Sequence, residues 1–396
     1  MGGPKSAGMA QVSSRAFQQG WEAVSANPRL VVAVAGGALA LVAVLALYRR
    51  LRRTPGERFR ALLAGRESVS VLLHPNPDAD AMAGGLAVAE LADSVDTEAV
   101  VQYSGQVRRQ ENRAFRTVLD VELDCIDHVS ELAAEAVVLV DHNEPRGFAG
   151  ADGVLPFAVV DHHPGEGSGE AYTDVRTDYG ASASIVAEYF EDTGATPVPP
   201  EAHESEVRGA TLSTRAATGL LYGIVSDTDR LTRGASAADL STGAYLHPGV
   251  DEDELGRIAD PAVSTEALDV KARAIAGREI RGPFAVSDVG TVSNVDAIPQ
   301  AADELVGLEG VTAVVVVGER EGTVHLSGRS RDDRVHMGRA LDAAVDDVPD
   351  ASAGGHARMG GGQVGPRISA DGSEELPVVG RDELVDRLFG AMDGER

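Results

Sequence analysis

The sequence predicts an α/β fold in which a doubly wound parallel-sheet domain is preceded by one transmembrane helix and followed by a smaller α/β capping domain. Over residues 69–240, short Val-rich apolar runs alternate with stretches of helical character, as in sheets buried on both faces. The same alternation resumes near residue 278. Leu30–Tyr48 is an uncharged run of 19 residues, which is long enough to cross a bilayer as one helix.

The amino-terminal region is predicted to anchor the chain in a membrane. Residues 1–28 form a short segment, residues 29–50 the transmembrane helix and residues 51–68 a basic linker with a helical part at Gly56–Leu63. Four arginines lie within five residues after the apolar run, so the positive-inside rule places the domains that follow it in the cytoplasm. A cleaved signal peptide and a buried core helix are the alternatives.

The first domain, residues 69–245, is predicted to contain four parallel strands separated by helices. The strands are Val69–His74, Glu98–Tyr103, Ala136–Asp141 and Phe157–Asp161. The helices are Ala81–Ala92, Arg109–Val118, Ser182–Asp192 and Ala210–Asp227. In such a sheet, ligands bind at the carboxyl ends of the strands.

A helical connector is predicted over residues 246–277, followed by the second domain over residues 278–396. Its predicted strands and helices are Phe284–Asp288, Val311–Val317, Val324–Ser327, His336–Ala344 and Asp382–Met392. A glycine-rich segment, residues 354–363, is predicted to be a loop.

The composition is strongly acidic. Among 396 residues the formal net charge is −27 and only two residues are lysine. Because the acids are spread along the chain, this resembles the halophilic composition of proteins from cells that hold molar salt, where charge repulsion is screened. The acidity argues against a long nucleic-acid groove, which needs a basic stripe. The single cysteine, Cys125, excludes a disulfide framework and is predicted to be a small core residue.

Four short motifs of acids and histidines carry the predicted chemistry. They are residues 74–80 (HPNPDAD), 141–143 (DHN), 161–163 (DHH) and 227–229 (DTD). Three follow predicted strands, so we expect them to meet at one edge of the sheet. Carboxylates and imidazoles there suit two divalent cations held about 3.5–4 Å apart, with Mn²⁺ favoured and Mg²⁺ or Co²⁺ as alternatives.

Individual roles follow from position. Asp78 and Asp80 are two residues apart, so in an extended turn they would ligate different ions. Asp141 ends a strand and is placed to bridge both, and Asp227 closes the shell. Each motif alone also has a structural interpretation, as a helix N-cap, an Asx-turn or acids in a loop. The four together favour the metal site.

The ordered motifs HxNPDxDA, VDHN, VDHH and SDTD resemble those of the DHH phosphoesterase superfamily over about residues 69–240. The resemblance implies that one manganese is held by His74, Asp78 and Asp141, and the other by Asp80, Asp141, His162 and Asp227. It also implies catalytic roles for His163, His142 and Asp161, with His163 facing the substrate phosphate.

The Gly354-Gly355-His356 segment resembles the GGH motif of the DHH-associated C-terminal domain of the first type. This implies a second domain that caps the cleft and binds substrate through Gly354, Gly355 and His356. Arg329 and Arg331 are added as substrate-binding candidates, because a guanidinium fork suits a phosphate.

The expected function is that of a membrane-tethered phosphodiesterase that hydrolyses short single-stranded oligonucleotides or cyclic dinucleotides with a water activated by two metals. The alternatives are a pyrophosphatase-type phosphoanhydride hydrolase, a single-strand exonuclease and a non-catalytic nucleotide sensor. The sequence is also compatible with a homodimer.

Overall fold

A computed structural model describes residues 53–332, 334–365, 367–368, 374–375 and 379–394, together with Arg29, Val32, Ala35, Gly36, Leu39 and Ala40. The chain divides into two compact units. The first comprises Met1–Gln106 and Phe115–Leu255, and the second comprises Val107–Ala114 and Gly256–Arg396.

The first unit contains a six-stranded parallel sheet. Its strands are β1 (Ser68–Leu73), β2 (Glu98–Tyr103), β3 (Asp124–Cys125), β4 (Val137–Val140), β5 (Ala158–Asp161) and β6 (Tyr172–Val175). Their order is β3-β2-β1-β4-β5-β6, and every pair is parallel. The predicted parallel sheet is therefore confirmed. The strand order reverses between β1 and β4, and ligands bind beside such a reversal in open α/β sheets.

Both faces of this sheet are covered, which explains the continuous apolar runs of its strands. The helices of residues 53–260 are α1 (Pro55–Leu63), α2 (Ala79–Asp93), α3 (Gln110–Val118), α4 (Ser182–Asp192), α5 (Thr214–Asp227), α6 (Ala237–Leu246) and α7 (Glu252–Ala259). Helix α2 packs on β1 and β2, while α4 and α5 pack on α2. On the other face, strand residues such as Leu72 and Leu139 pack with Phe148 and Ile126 from the connections. A short parallel pair, β7 (Thr196–Pro197) and β8 (Thr211–Leu212), precedes α5.

The predicted basic linker differs from what the structure shows, because much of it belongs to the first unit. Helix α1 starts with a capping box, in which Thr54 and Glu57 each accept a hydrogen bond from the other's backbone N–H. Phe59 and Leu63 are 0% exposed. The apolar side of α1 packs on α4, so the segment is fixed by burial rather than serving as a spacer.

The second unit is built on a mixed six-stranded sheet. Its strands are β9 (Arg278–Arg281), β10 (Phe284–Thr291), β11 (Ala313–Arg320), β12 (Thr323–Ser330), β13 (Ala351–Gly355) and β14 (Met359–Val364), in the order β13-β14-β12-β11-β10-β9. Only β10 and β11 pair in parallel among these described strands. A short pair, β15 (Arg367–Ile368) and β16 (Glu374–Glu375), follows.

Two apolar clusters cover the two faces of this second sheet. The helices are α8 (Thr265–Gly277), α9 (Ala297–Leu305), α10 (Met337–Val345) and α11 (Arg381–Asp393). One cluster joins the sheet to α8 and α9, and the other joins it to α10 and α11. The predicted connector over residues 246–277 therefore ends in a core helix, since Val270 and Ala274 of α8 are buried in the first of these clusters.

The glycine-rich segment is a β-hairpin rather than the predicted loop. Gly354 and Gly355 end β13 and pair with Gly361 and Gly360 of β14. Glycine has low strand propensity, which explains why the sequence pattern predicted a loop here. Only residues 356–358 form the turn.

Two further expectations meet the structure. Most of Leu30–Tyr48 lies outside the described residues, and within the part of the chain that is described, no helix is long and apolar enough to cross a membrane. Cys125 is exposed, so the prediction of a core cysteine is wrong. It lies on β3, a two-residue strand at the sheet edge that leaves its side chain uncovered.

Candidate metal centre

The turn from β1 into α2 places three candidate ligands. His74 directly follows β1, and Asp78 is the N-cap of α2, accepting a hydrogen bond from the N–H of Ala81 at 3.2 Å. Asp80 lies in the first helical turn, which corrects the prediction of an extended turn around the two acids. Asp78 is therefore both a helix N-cap and a candidate metal ligand, because its Oδ1 also lies 3.7 Å from His74 Nε2.

Asp141 occupies the position between two sets of ligand groups. It follows β4 with a φ of 65°, a left-handed conformation that costs a non-glycine residue free energy. Its Oδ2 lies 3.4 Å from His74 Nε2, whereas its Oδ1 lies 3.5 Å from His162 Nε2. The two oxygens thus face different imidazoles on the two sides of one carboxylate.

His162 faces three carboxylates without hydrogen-bonding to them. Its Nε2 lies 3.3 Å from Asp227 Oδ2, 3.5 Å from Asp141 Oδ1 and 3.9 Å from Asp80 Oδ2. This buried nitrogen makes no hydrogen bond to any described residue. A buried polar atom left without a partner calls for a ligand or water, and an imidazole nitrogen among carboxylate oxygens is a typical cation site.

The ligand atoms form three overlapping groups, each with its atoms within 4.8 Å of one another. They are His74–Asp78–Asp141, Asp80–His162–Asp227 and Asp141–His162–His163. Asp227 is the last residue of α5. Every predicted metal ligand falls in at least one group, and the predicted bridge, Asp141, falls in two.

The electrostatics of the cluster also fit bound cations. Burial and the charges of Asp141 and Asp227 raise the pKa of Asp80 well above its usual value. Burial alone would lower the pKa of His74, but the facing carboxylates of Asp141 and Asp78 raise it to about 10. In the same way, Asp227 and Asp141 overcome burial and raise the pKa of His162 to about 9. The clustered carboxylates thus demand positive charge, which divalent cations supply.

The third motif divides its roles among neighbouring side chains. Asp161 is 0% exposed and accepts hydrogen bonds from His163 N and Nδ1, both at 3.0 Å, and from Asn143 Nδ2 at 2.7 Å. The hydrogen bond to Asp161 raises the pKa of His163. The side chain of His163 is 53% exposed. Asp161 therefore anchors an imidazole whose other edge reaches solvent.

His142 is buried beneath the site. Its Nδ1 lies 3.0 Å from the carbonyl oxygen of Val140, while its Nε2 makes no hydrogen bond to any described residue. Burial lowers the pKa of His142 to about 4. The ring is therefore neutral at pH 7, and its burial keeps it from direct contact with solvent.

Sequence reasoning missed the groups that hold the ligands in place. The N–H groups of Ser182 and Ala183 donate to the two oxygens of Asp80 at 2.7 and 2.8 Å, and Ser182 Oγ donates to Asp141 Oδ1 at 2.9 Å. His162 Nδ1 lies 3.2 Å from the carbonyl oxygen of Tyr179, which leaves Nε2 as the ligand atom. The position of Ser182 at the start of a predicted helix was a signal for its side chain. Backbone N–H and carbonyl groups leave no such signal in the sequence.

Within the second unit, the two arginines predicted to bind substrate differ in what their side chains contact. Arg329 lies on β12, and its guanidinium donates to Asp303 Oδ1 at 2.5 Å. The side chain of Arg331 is exposed. Arg329 is thus engaged by an ion pair of its own unit, whereas Arg331 presents its charge to solvent.

The hairpin turn is tied to the start of α10. His356 is exposed, and its carbonyl oxygen accepts a hydrogen bond from Gly338 N at 3.0 Å. Gly355 has a φ of 140°, and a Cβ added to Gly338 would lie 2.3 Å from its carbonyl oxygen. A Cβ added to Gly354 would meet no atom of the described residues within 4 Å. Packing therefore explains Gly338 and Gly355 but not Gly354.

Comparison with known proteins identifies both units. A family model described as the DHH family N-terminal domain matches residues 68–224. A model described as the DHHA1 domain matches residues 281–370. An exopolyphosphatase-related protein of Bacteroides fragilis has the same fold, with a TM-score of 0.58 and 14% identity over 86% of this chain and 95% of that one.

Three curated relatives are similar over shorter parts of their own lengths. An uncharacterized protein of Methanocaldococcus jannaschii is 31% identical over 302 residues, 74% of this chain and 57% of that protein. The cyclic-di-AMP phosphodiesterase GdpP of Geobacillus thermodenitrificans is 27% identical over 300 residues, 71% and 43% of the two chains. A probable manganese-dependent inorganic pyrophosphatase of Bacillus cereus is 29% identical over 194 residues, 48% and 58%. The chain thus spans about half the length of these relatives.

The predicted cofactor is confirmed as divalent cations, with manganese the first candidate. The described residues bring carboxylates and imidazoles into ligand groups. Oxygen-rich ligation with imidazole is the donor set that manganese and magnesium take in proteins.

Proposed function

The chain belongs to the DHH phosphoesterase superfamily and contains a DHHA1 domain, and from this premise we propose that it is a metal-dependent phosphodiesterase of short oligonucleotides or cyclic dinucleotides. The superfamily consists of hydrolases of phosphoester and phosphoanhydride bonds. The observation that carries the proposal is Asp141, whose two oxygens face separate ligand groups as a carboxylate shared by two cations requires.

In this proposal His74, Asp78 and Asp141 hold one cation, and Asp80, Asp141, His162 and Asp227 hold the other. Bound there, the two cations would lower the pKa of a water and offset the negative charge that develops on the phosphoryl group. The chain's own residues keep that site in shape. Ser182 and Ala183 fix the Asp80 and Asp141 carboxylates, so little reorganisation is needed when the substrate binds.

His163 is proposed to bind a phosphate oxygen of the substrate. Its Nδ1 is anchored on Asp161, so Nε2 on the opposite edge of the ring can face an anion, to which it donates when the ring is protonated. Asp161 supports the reaction by orienting the His163 ring and by raising its pKa through their hydrogen bond. His142, buried and neutral, supports the turn after β4 from below.

The proposed substrate class rests on the second unit and on one relative. GdpP is named a cyclic-di-AMP phosphodiesterase, and its match covers 71% of this chain. We assign substrate binding to Arg331 and His356, which are exposed, and to Gly354 and Gly355 at the end of β13. Arg329 is assigned the same role, in competition with its ion pair to Asp303.

A second candidate is a pyrophosphatase-type hydrolase, favoured by the relatives of that name. Those matches cover 48% of the chain, which cannot include both family-model matches. A single-strand exonuclease is disfavoured by the net charge of −27. A non-catalytic nucleotide sensor is disfavoured by the complete ligand set.

A substrate panel tests the function. The full chain with Mn²⁺ in high salt is incubated with a linear dinucleotide, a cyclic dinucleotide, a longer single strand and pyrophosphate. Release of mononucleotide from the linear dinucleotide is expected to be the fastest of the four reactions. Phosphate release from pyrophosphate as the dominant reaction would favour the second candidate, and nucleotide binding without product would favour the sensor.

The double variant Asp161→Ala with His162→Ala tests whether the proposed site carries the reaction. Turnover is expected to vanish, because one ligand of a cation and the support of His163 are both removed. Glu279→Gln, on the exposed strand β9, is the control. Undiminished hydrolysis by the double variant would contradict the site.

We also propose that the chain is tethered to the membrane through Leu30–Tyr48, with its catalytic domains in the cytoplasm. The apolar run and the arginines after it support this. The full chain is expected in the membrane fraction and resistant to alkaline extraction, whereas deletion of 30–48 should release it. Homodimerisation stays a prediction, which sedimentation of the full chain tests. Adaptation to high salt also stays a prediction, which measurement of activity over a series of salt concentrations tests.

A further inference from the structure

The loop between β6 and α4 supports the metal centre with backbone groups. The carbonyl oxygen of Tyr179 holds His162 through its Nδ1, at 3.2 Å. Just beyond, the N–H groups of Ser182 and Ala183 hold the carboxylate of Asp80. Two proposed ligands of the same cation therefore depend on the path of one short loop.

A single arginine fixes that path. The guanidinium of Arg176 forms a two-pronged ion pair with Asp174 on β6, at 2.7 and 2.8 Å. It also donates to Glu188 Oε2 on α4 at 2.5 Å and to the hydroxyl of Tyr179 at 3.0 Å. The Tyr179 hydroxyl in turn donates to Glu188 Oε1 at 2.7 Å. The strand, the helix and the loop are thus joined at one side chain.

Arg176 is largely shielded from solvent, and it is not itself one of the proposed metal ligands. Its side chain is 17% exposed, and that of Asp174 is 14% exposed. Asp174 also accepts a hydrogen bond from the hydroxyl of Tyr189 at 2.8 Å. Charge-assisted bonds in such a setting are short and directional, so the network holds the loop in one conformation.

The network ends at helix α1. The hydroxyl of Tyr172 lies 3.3 Å from Asp174 Oδ2 and donates to the carbonyl oxygen of Pro55 at 3.2 Å. Phe59 of α1 stacks against the rings of Tyr172 and Tyr189, with centroids 5.3 and 5.1 Å away. Among the described side chains, the hydrogen bonds of this arm reach Arg176 through Asp174, so the arm can be tested apart from the bonds of Arg176 to Tyr179 and Glu188.

We propose that Arg176 is a positioning residue of the metal centre, which holds the Tyr179 carbonyl and the start of α4 where they orient His162 and Asp80. The inference rests on the proposed function, since it takes those two residues as ligands. Groups that orient metal ligands typically contribute about tenfold to 100-fold in metal affinity. Lysine keeps the charge between Asp174 and Glu188 but loses the planar fork, so Arg176→Lys should weaken metal binding without leaving a buried carboxylate uncompensated.

The test is Mn²⁺ binding by the metal-free full chain, measured by titration calorimetry and by the spectrum of bound Mn²⁺. We expect the Kd of Arg176→Lys to rise about tenfold or more, with activity lost at low Mn²⁺ and restored by excess Mn²⁺. Arg281→Lys is the matched control, since Arg281 also contacts two carboxylates, of Glu279 and Asp386, and lies over the ring of Phe389. Its Kd should equal that of the wild type.

Tyr179→Phe keeps the test decisive if Arg176→Lys does not fold, which urea unfolding of the metal-free protein reports. This variant removes only the hydroxyl that bonds to both Arg176 and Glu188 and leaves their direct ion pair in place. Its Kd for Mn²⁺ should shift in the same direction by a smaller factor. Tyr172→Phe, on the α1 arm, should shift it less again. A wild-type chain that binds no Mn²⁺ would refute the proposed site. Wild-type binding with no change of Kd in Arg176→Lys or Tyr179→Phe would overturn the positioning role alone.

Discussion

The DHH-type sheet edge of the first unit and the glycine-rich hairpin of the second both carry dense sequence motifs, but the structure uses them in different ways. At the sheet edge, side chains from several elements converge, and Asp141 faces two imidazoles at once. In the hairpin, Gly355 of the motif has a role in backbone packing. Together with Gly338 of α10, it allows α10 and β13 to come into contact. A conspicuous motif therefore indicates chemistry only where its side chains meet.

This contrast predicts how each region responds to mutation. Changes at the sheet edge remove ligand atoms and should lower kcat. Changes at the hairpin and at the helix that packs against it should have two kinds of effect. Those at Gly338 of α10 should break packing, and those at His356 of the hairpin turn should weaken substrate binding.

The largest effect is expected for Asp141→Asn. The amide removes one charge and one ligand oxygen between the two groups, so kcat with Mn²⁺ should fall by more than about 100-fold, beyond the loss typical of indirect ligand partners. Steady-state hydrolysis of a linear dinucleotide measures this. Asp332→Asn, at an acid of the second unit whose side chain is 35% exposed, should retain activity, and an Asp141→Asn enzyme within tenfold of wild type would break the comparison.

The second expected effect is structural and separates two glycines of the hairpin region. Gly338→Ala places a Cβ against the carbonyl of Gly355, and overpacking of this kind costs about 1–3 kcal/mol of unfolding free energy. Gly354→Ala adds a methyl where space is open and should leave that free energy nearly unchanged. Urea unfolding of both variants measures the difference, and equal stabilities would show that close packing does not explain Gly338.

A third prediction concerns His356, whose side chain is exposed on the hairpin turn. Loss of a hydrogen bond to a charged phosphate corresponds to about tenfold in binding, so His356→Ala should raise KM about tenfold with kcat largely kept. Steady-state kinetics on the dinucleotide, with His325→Ala as the control, separate the two constants. A fall in kcat with unchanged KM would place His356 with the chemistry instead.

The smallest effect compares Asp174 of the first unit, whose side chain is 14% exposed, with Asp332 of the second, whose side chain is 35% exposed. Burial alone would raise the pKa of Asp174, but hydrogen bonds from Arg176 and two tyrosines lower it. A depressed folded pKa stabilises above the unfolded value of about 3.9 and loses that contribution as pH falls further. Asp174→Asn should therefore be less stable than wild type at pH 7, with the gap closing toward pH 3.

Urea unfolding between pH 7 and pH 3 measures this gap. Asp332→Asn is the matched comparison, since Arg334 lowers the pKa of Asp332 too, but exposed ion pairs contribute little. A larger gap for Asp332→Asn than for Asp174→Asn would contradict the assignment of the buried network.

How far the sequence could predict the structure depended on the kind of signal. Val-rich runs predicted β1, β4 and β5, and the motifs at their ends predicted the cluster, because parallel strands end at one edge. A helical part was predicted at Gly56–Leu63, within α1, yet the arginines around it favoured a linker. The hairpin of β13 and β14 was missed because glycine-rich strands look like loops.

The remaining groups of the site are backbone atoms, and the residue types in the sequence do not reveal which backbone atoms will contact the ligands. The carbonyl oxygen of Tyr179 and the N–H of Ala183 exist in every residue, so only the folded path of the chain makes them partners of His162 and Asp80. The exposure of Cys125 likewise depends on a two-residue edge strand.

The most direct test of the account is diffraction from crystals of the full chain grown with Mn²⁺, with anomalous data collected at the manganese edge. We expect two manganese peaks at the edge of the first sheet, about 3.5–4 Å apart, with one Asp141 oxygen directed to each. A single peak, or peaks that do not involve Asp141, would contradict the two-cation centre on which the proposed function depends.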